Sequence, residues 1–336
     1  MTDLPFESWL YPTPQGLYCE PGDFHIDPHV AVDRAVVTHG HSDHARAGHA
    51  RVLATSETVA IMQARLGGNS AEAFQPTPLG NVTRIGDVDV ALHPAGHILG
   101  SAQVKLGYRG RTVVVSGDYK RRIDPTCQPF EVIPCDLFVT EATFALPVFR
   151  HEPDDGETRK LLASVAAFPE RAHLIGVYGL GKAQRLIMLL RAAGFHRTIW
   201  LHGALKGMCD LYQQLGYELG ALALVAEATE SLAGEIVLCP PSALADRWSR
   251  RLVDPVTCFA SGWMRVRGRA RQRGVELPLI ISDHVDWPEL IQTIEDVGAQ
   301  EIWVTHGRED ALVHQIGLMG RRGRALALLG REEEAE

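Results

Sequence analysis

The stretch VVTHGHSDH (36–44) places His39, His41, Asp43 and His44 directly behind a short apolar run. In extended backbone, residues two apart point the same way, so His39 and His41 can face one ion at the end of the strand RAVVT (34–38). Asp43 and His44 follow where the chain turns and can face a second ion beside the first. Imidazole and carboxylate donors together suit zinc or manganese, whereas magnesium and calcium prefer shells of oxygen alone. A solvated polar turn would explain one or two of these residues but not all four. Such a site constrains the whole fold, because its remaining ligands must arrive from the ends of other strands of the same sheet.

Three further strand ends fit that requirement. HPAGHILGSAQV places His97 in a glycine-flanked turn ahead of a strand. TVVVSGDYK puts Asp118 directly after an apolar strand, where a carboxylate can bridge two cations, and EIWVTHGRED puts His306 after another. Each alone would more often be a loop or core polar residue; the shared setting of strand end and glycine sets them apart.

The apolar runs RAVVT, VDVAL (88–92), AQVKL (102–106), TVVVS (112–116) and DLFVT (136–140) predict sheet strands in the first 140 residues. One helix, SETVAIMQARLG with Ser56 as N-cap, interrupts them. From about residue 155, strands and helices alternate: HLIGVY then GKAQRLIMLLRAAGF, TIWLH then ALKGMCDLYQQLG, EIVLC then SALADRWSR. That pattern predicts a parallel sheet flanked by helices. An Arg-rich segment, the strand LPLIIS, a helix from Trp287, the strand EIWVTH, another helix and RALALLG complete the chain, with REEEAE expected to fray in solvent. At 336 residues the chain suits one large domain or two, the second inserted into the first.

The formal charge of -8 gives no global attraction to nucleic acid or membrane. No apolar run is long enough for a membrane span, and the N-terminus lacks signal-peptide character, so a cytoplasmic location with no membrane partner is expected. The six cysteines form no CxxC pair, which argues against a disulfide framework or a thiolate zinc site. GVYGLGKA (176–183) has P-loop spacing but carries Ala183 where a hydroxyl should bind magnesium, which argues against an ATPase. Its Gly179, Gly181 and Lys182 still form a candidate phosphate cradle. ISDH sets Ser282 beside Asp283 and His284 without a GxSxG elbow, so serine catalysis is not expected. In RVRGRARQRG, Arg265, Arg267, Arg269, Arg271 and Arg273 alternate, and an extended backbone would project all five to one side with Trp263 as a stacking surface upstream. YKRR adds Lys120, Arg121 and Arg122 to these candidate phosphate contacts. The competing reading is a solvated edge strand protected by charge.

HGHSDH, AGHILGSAQ, SGDYK and VTHG together resemble the ordered metal motifs of the metallo-β-lactamase fold, an α/β protein built as an αββα sandwich with metals at the rim between its sheets. Asp27 in FHIDPH resembles the acidic residue that supports the metal loop from behind. VTEATF with Glu141, ISDHVDW with His284 and VTHG with His306 resemble the three extra motifs of the β-CASP nucleases, in which a capping domain is inserted before the two histidine motifs. The wording GLYCEPGDFHIDP, SGDYK, TEATFALP and GLGKAQR is most similar to the bacterial ligase-associated DNA exonuclease branch, itself like the mRNA 3′-end processing factors. The resemblance implies a metallo-β-lactamase domain formed by residues 1–150 and 276–336 around a reduced α/β cap at 151–275.

The same resemblance implies two divalent ions, zinc or manganese: His39, His41 and His97 on one, Asp43, His44 and His306 on the other, Asp118 bridging. It implies phosphodiester hydrolysis by a metal-activated water, with Asp43 as proton acceptor and His284, oriented by Glu141, protonating the leaving oxygen. The implied partner is DNA, single-stranded or at ends, in repair, with a functional link to an ATP-dependent DNA ligase and a helicase; Lys120, Lys182, Arg265, Arg267 and Arg269 are the candidate contacts. An RNase acting in RNA processing is the alternative. A thioester or lactam hydrolase shares the metal rim but is set apart by Glu141, His284 and the arginines, and a metal-bearing inactive scaffold fits the complete ligand set least well.

Overall fold

Alternation of side chains along the strands decides the layers. Val113 and Val115 face one core while Val114 between them faces another; Leu137 and Val139 flank Phe138 in the same way. A strand apolar on both faces must be covered on both, and a sandwich of two sheets with helices outside meets that demand. The computed structural model describes residues 4–68, 70–326 and 328, and the chain forms two compact units, Met1–Pro147 with His284–Glu336 and Val148–Asp283.

In the first unit, β1 (Leu10–Thr13), β2 (Gly16–Cys19), β3 (Phe24–Ile26), β4 (Arg34–Val36), β5 (His49–Ala54) and β6 (Ala71–Pro76) form one sheet in sequence order. Helix α1 (Ser56–Leu66) lies between β5 and β6 in the chain, and its Val59 and Met62 pack on Ala35, Val37 and Val52. The second sheet begins with the antiparallel β7 (Val82–Ile85), β8 (Val88–Pro94), β9 (Ala102–Tyr108) and β10 (Arg111–Val115), and continues with β11 (Leu137–Ala142), parallel to β10. Leu17, Phe24, Ile26, Val36 and Leu53 from the first sheet meet Val104, Leu106, Val113, Val115, Leu137 and Val139 from the second in one shared core.

The second unit contains α2 (Asp154–Ala167), β12 (His173–Gly176), α3 (Lys182–Ala192), β13 (Ile199–Leu201), α4 (Gly203–Gln214), β14 (Leu222–Leu224), β15 (Ile236–Cys239), β16 (Val256–Ala260), α5 (Arg267–Arg273) and β17 (Leu277–Leu279). Its six strands pair entirely in parallel, in the order β14-β13-β15-β12-β16-β17. The chain then completes the first unit with α6 (Trp287–Val297), β18 (Glu301–Gly307), α7 (Glu309–Leu318) and β19 (Arg322–Ala325), where β18 pairs in parallel with β11 and β19 in parallel with β18. Leu290 and Ile294 of α6 and Leu312 and Ile316 of α7 cover Val114, Phe138, Ile302 and Val304 on the outer face of the second sheet. This unit is an αββα sandwich.

Several local expectations change. The N-cap of α1 is Thr55, not Ser56: Thr55 is extended and its hydroxyl accepts the Thr58 amide at 3.2 Å while donating to the Gly100 carbonyl at 2.7 Å. SALADRWSR forms two short 3-10 turns, Pro241–Ala245 and Arg247–Arg251, where a helix was expected. The arginine track is not extended, because Arg267–Arg273 is helical and Arg265 ends a 3-10 turn. Alternate residues then point to opposite sides of α5, and Trp263, buried, lies under the Arg269 guanidinium at 3.7 Å. RALALLG contributes its first two residues to β19, and the REEEAE tail lies outside the described residues.

Trp303 of β18 is fully buried in the shared core, with its indole N–H donating to Glu301 at 2.7 Å and the Arg324 guanidinium over its ring. Trp303→Ala is expected to destabilise the chain by about 3–5 kcal/mol, read as a fall in the urea midpoint. Leu318→Ala, at a position 69% exposed, should shift it by less than about 0.5 kcal/mol.

Candidate functional site

The parallel strands β10, β11 and β18 run in one direction, so the segments leaving them emerge at one rim of the sheet. Asp118 follows β10, Glu141 is the penultimate residue of β11, and His306 the penultimate residue of β18. The loop after β4 carries His39, His41, Asp43 and His44, and the turn between β8 and β9 carries His97. His284 precedes α6, whose N-cap is Asp286.

These side chains converge. One donor atom from each of His39, His41, His97 and Asp118 lies within 4.8 Å of all the others, and so do those of Asp43, His44 and His306, and of Asp118, Glu141 and His284. Asp118 joins the first two groups: its Oδ2 is 3.5 Å from His39 Nε2, 3.4 Å from His44 Nε2 and 3.8 Å from His97 Nε2. Asp43 Oδ2 lies 3.2 Å from His44 Nε2 and 3.9 Å from His306 Nδ1. His41 Nδ1 and His97 Nε2 are 3.0 Å apart. His39 Nε2, His44 Nε2, Asp118 Oδ1 and His306 Nδ1 are buried without a hydrogen-bond partner. Buried nitrogen and oxygen donors with no hydrogen bond, clustered this closely, fit a divalent cation.

Local structure explains the placement. Asp27, at φ 45°, turns its carboxylate under the metal loop: Oδ1 accepts the Thr38 amide at 2.7 Å and Oδ2 lies 2.8 Å from His44 Nδ1. The Ser101 hydroxyl accepts the His97 and Ile98 amides at 3.1 and 3.2 Å, closing the turn that carries His97. Gly117, at φ +56°, passes so near Thr38 that a Cβ there would lie 2.8 Å from the threonine's own Cβ, and a Cβ on Gly96 would run into the Lys120 carbonyl oxygen. A register shift between Thr140 and Ala142 in the β11–β18 pairing coincides with Glu141, and His306 beyond it is held at φ 63°, a conformation uncommon for a ring-bearing residue. Glu141 Oε1 accepts the Tyr119 amide at 2.7 Å and Oε2 lies 2.9 Å from His284 Nδ1.

Thr38, Ser101 and the Tyr119 amide were not among the expected contributors. Thr38 and Ser101 have the weak signal of standing beside or within a ligand motif; a backbone amide has none.

The expected basic contacts divide differently. Lys120 is buried, Arg121 donates to Asp296 at 2.6 Å, and Arg122 donates to Asp286 at 2.9 Å and Glu289 at 2.8 Å, so the two arginines anchor α6 within its own unit. Lys182 is also buried, its ammonium 3.2 Å from Asp283, and the Gly181 amide donates to Gln184 at 2.8 Å, so the glycine turn ahead of α3 satisfies its own groups. Arg265, Arg267 and Arg269 are exposed.

Burial and then the neighbouring His44 hold the His39 imidazole well below its ordinary range, against the pull of Asp118. For His44, burial works downward but Asp43, Asp118 and Asp27 outweigh it and raise the imidazole well above that range. Burial works upward on Asp43 and Asp118, yet His44 and His306 keep both carboxyls well below the usual range. In chelator-treated protein, Asp43 and Asp118 therefore contribute stability present above the ordinary carboxylate range and lost as pH falls through their lowered values. His44 contributes stability present below the ordinary imidazole range and lost as pH rises through its raised value. The urea midpoint should decline on both sides, and Asp118→Asn should flatten the acid limb.

No family profile matches the chain. It is 30% identical over 308 residues to a "Probable DNA ligase" of Opitutus terrae, covering 89% of this chain and 29% of that protein. It is 27% identical over 226 residues to the endoribonuclease YSH1 of Candida glabrata, covering 55% of this chain and 28% of that one. The chain thus spans less than a third of either relative. Among solved structures, a protein of unknown function from Enterococcus faecalis superposes with a TM-score of 0.53 at 14% identity, over 81% of this chain and 74% of that one, a likeness of fold. With the αββα unit and the ordered motifs, these likenesses place the chain in the metallo-β-lactamase fold and, within it, in the ligase-associated branch of the β-CASP family.

Proposed function

We propose that the chain is a metal-dependent phosphodiesterase that cleaves DNA, acting as an exonuclease on single strands or ends in repair. The observation that carries this reading is the juxtaposition, at one rim, of two His/Asp donor clusters sharing Asp118 with the hydrogen-bonded Glu141–His284 pair. In this reading His39, His41 and His97 would hold one divalent cation and Asp43, His44 and His306 the other, with Asp118 within reach of both donor groups. Zinc or manganese bound there would supply Lewis-acid stabilisation of phosphodiester oxygens and a water acidic enough to attack at neutral pH. The Asp43 carboxylate would serve as the proton acceptor. His284, its Nδ1 turned to Glu141, would protonate the leaving oxygen from Nε2 as an imidazolium.

The inserted unit Val148–Asp283 would serve as the cap, with exposed Arg265, Arg267 and Arg269 as its phosphate contacts. The relative named a probable DNA ligase supports DNA as substrate and a functional link to a DNA ligase; that the ligase is ATP-dependent and that a helicase shares the link belong to the proposal. The endoribonuclease relatives support a second reading, an RNase of the same chemistry. A cytoplasmic location belongs to the proposal, supported by six free cysteines; among the described residues, no helix is long and apolar enough to cross a membrane.

End-labelled DNA and RNA oligonucleotides of matched sequence, digested with zinc or manganese in turn, decide substrate, direction and metal together. Cleavage of DNA from an end is expected; cleavage of RNA alone would overturn the proposal in favour of the RNase. His39→Ala should lose bound metal and activity together. His284→Ala should keep its metal and slow cleavage by about a hundredfold or more, with much of the loss recovered on a substrate with a good leaving group.

A further inference from the structure

Thr38 lies where the strand ends and the metal loop begins, buried, touching four of the segments that make the rim. Its amide donates to Asp27 Oδ1 at 2.7 Å, its carbonyl accepts the Ala102 amide at 2.8 Å just after the His97 turn, and Gly117 packs against its side chain next to Asp118. Its hydroxyl donates to Asp27 Oδ2 at 2.7 Å and lies 3.0 Å from His39 Nδ1.

A hydroxyl has one proton and two lone pairs. With the proton directed at Asp27, only a lone pair faces His39, and a contact of 3.0 Å is a hydrogen bond only if Nδ1 carries the hydrogen. A neutral imidazole protonated at Nδ1 has a bare Nε2, and His39 Nε2 is the buried atom that lacks a hydrogen bond and faces Asp118. Asp27 also holds His44 without an intermediary: Oδ2 accepts from Nδ1 at 2.8 Å, which turns Nε2 toward Asp43 and Asp118. We propose that Thr38 is a positioning residue that relays the Asp27 carboxylate to His39 and sets its tautomer, so that one buried carboxylate orients one histidine in each donor cluster. The relay rests on the metal-site reading only for its purpose; the tautomer itself is a property of the protein without metal.

Thr38→Val keeps the shape and removes the hydroxyl, and Thr38→Ser keeps the hydroxyl. In chelator-treated protein labelled with 13C and 15N in histidine, His39 should appear as the Nδ1–H tautomer in the wild type and in Thr38→Ser, and shift toward the Nε2–H form in Thr38→Val. Calorimetric titration with zinc or manganese should show affinity about ten- to a hundredfold weaker for Thr38→Val and near the wild type for Thr38→Ser. Finding Nε2–H at His39 in the wild type overturns the relay whether or not the valine variant folds. So does a valine variant that keeps the Nδ1–H form, or a serine variant as impaired as valine. If the tautomer follows the hydroxyl but no protein binds metal, the relay stands and the metal-dependent reading of the site fails.

Discussion

Everything at the rim depends on charges that could not remain buried alone. An isolated carboxylate or imidazolium away from water is costly enough that it normally takes up or loses a proton. Asp27, Asp43, Asp118 and His44 are all buried, and His44 lies within 3.4 Å of a carboxylate oxygen of each of the three aspartates. That arrangement lets three acids and one base coexist, and it leaves donor atoms without hydrogen bonds on His39, His44, Asp118 and His306. A cation placed among them would relieve both the missing bonds and the excess of negative charge. The folded protein is in this sense prepared for metal by its own electrostatics.

The precision of such a cluster comes from backbone, not from long side chains reaching inward. Parallel pairing of β10, β11 and β18 brings three strand ends to one edge, and the β11 irregularity beside His306 aims Glu141 and His306 at the same space. Gly96 and Gly117 let the His97 and Asp118 loops approach neighbouring backbone and side chain more closely than any Cβ would permit. Behind them, Arg121 and Arg122 tie the segment after Asp118 to α6, so the helix that follows His284 and the loop that follows β10 are held to each other by ion pairs.

The sequence shows the site more clearly than the fold around it. The histidines and aspartates of HGHSDH, AGH and SGD have few reasons to cluster in a sequence other than chemistry, and their strand-end context is visible in the apolar runs before them. The alternation of strands and helices from residue 155 is equally direct. By contrast β1, β2, β3 and β6 contain Pro, Gly, His or Glu among their residues, and β1 and β6 are exposed on part of their length, so no continuous apolar run marks them. The arginine track misled because charge spacing was read as geometry. Alternate arginines line one face only in an extended strand, and RGRARQR, with no β-branched residue, is helical. Lys120 and Lys182 illustrate a different limit: both are buried, and the Lys182 ammonium lies 3.2 Å from Asp283, a packing that no motif beside a lysine reveals.

That last point bears on how nucleic acid would be attracted. The basic residues nearest the donor clusters in sequence, Lys120 to Arg122, are used inside the fold, and the chain as a whole carries -8. Phosphate attraction is then left to cations that remain in solvent, of which α5 holds the densest group: Arg267, Arg269, Arg271 and Arg273 on a single helix of seven residues. Because a helix spreads them around its surface, they form a diffuse positive field more than a ruled line of contacts, which favours attraction to any polyanion over reading of its sequence. Cations held by the donor set would engage phosphodiester oxygens and be likewise indifferent to the 2′-hydroxyl. Discrimination between DNA and RNA must therefore be made by groups that touch the sugar, and the rim residues that hold charge and metal are not the place to look for it.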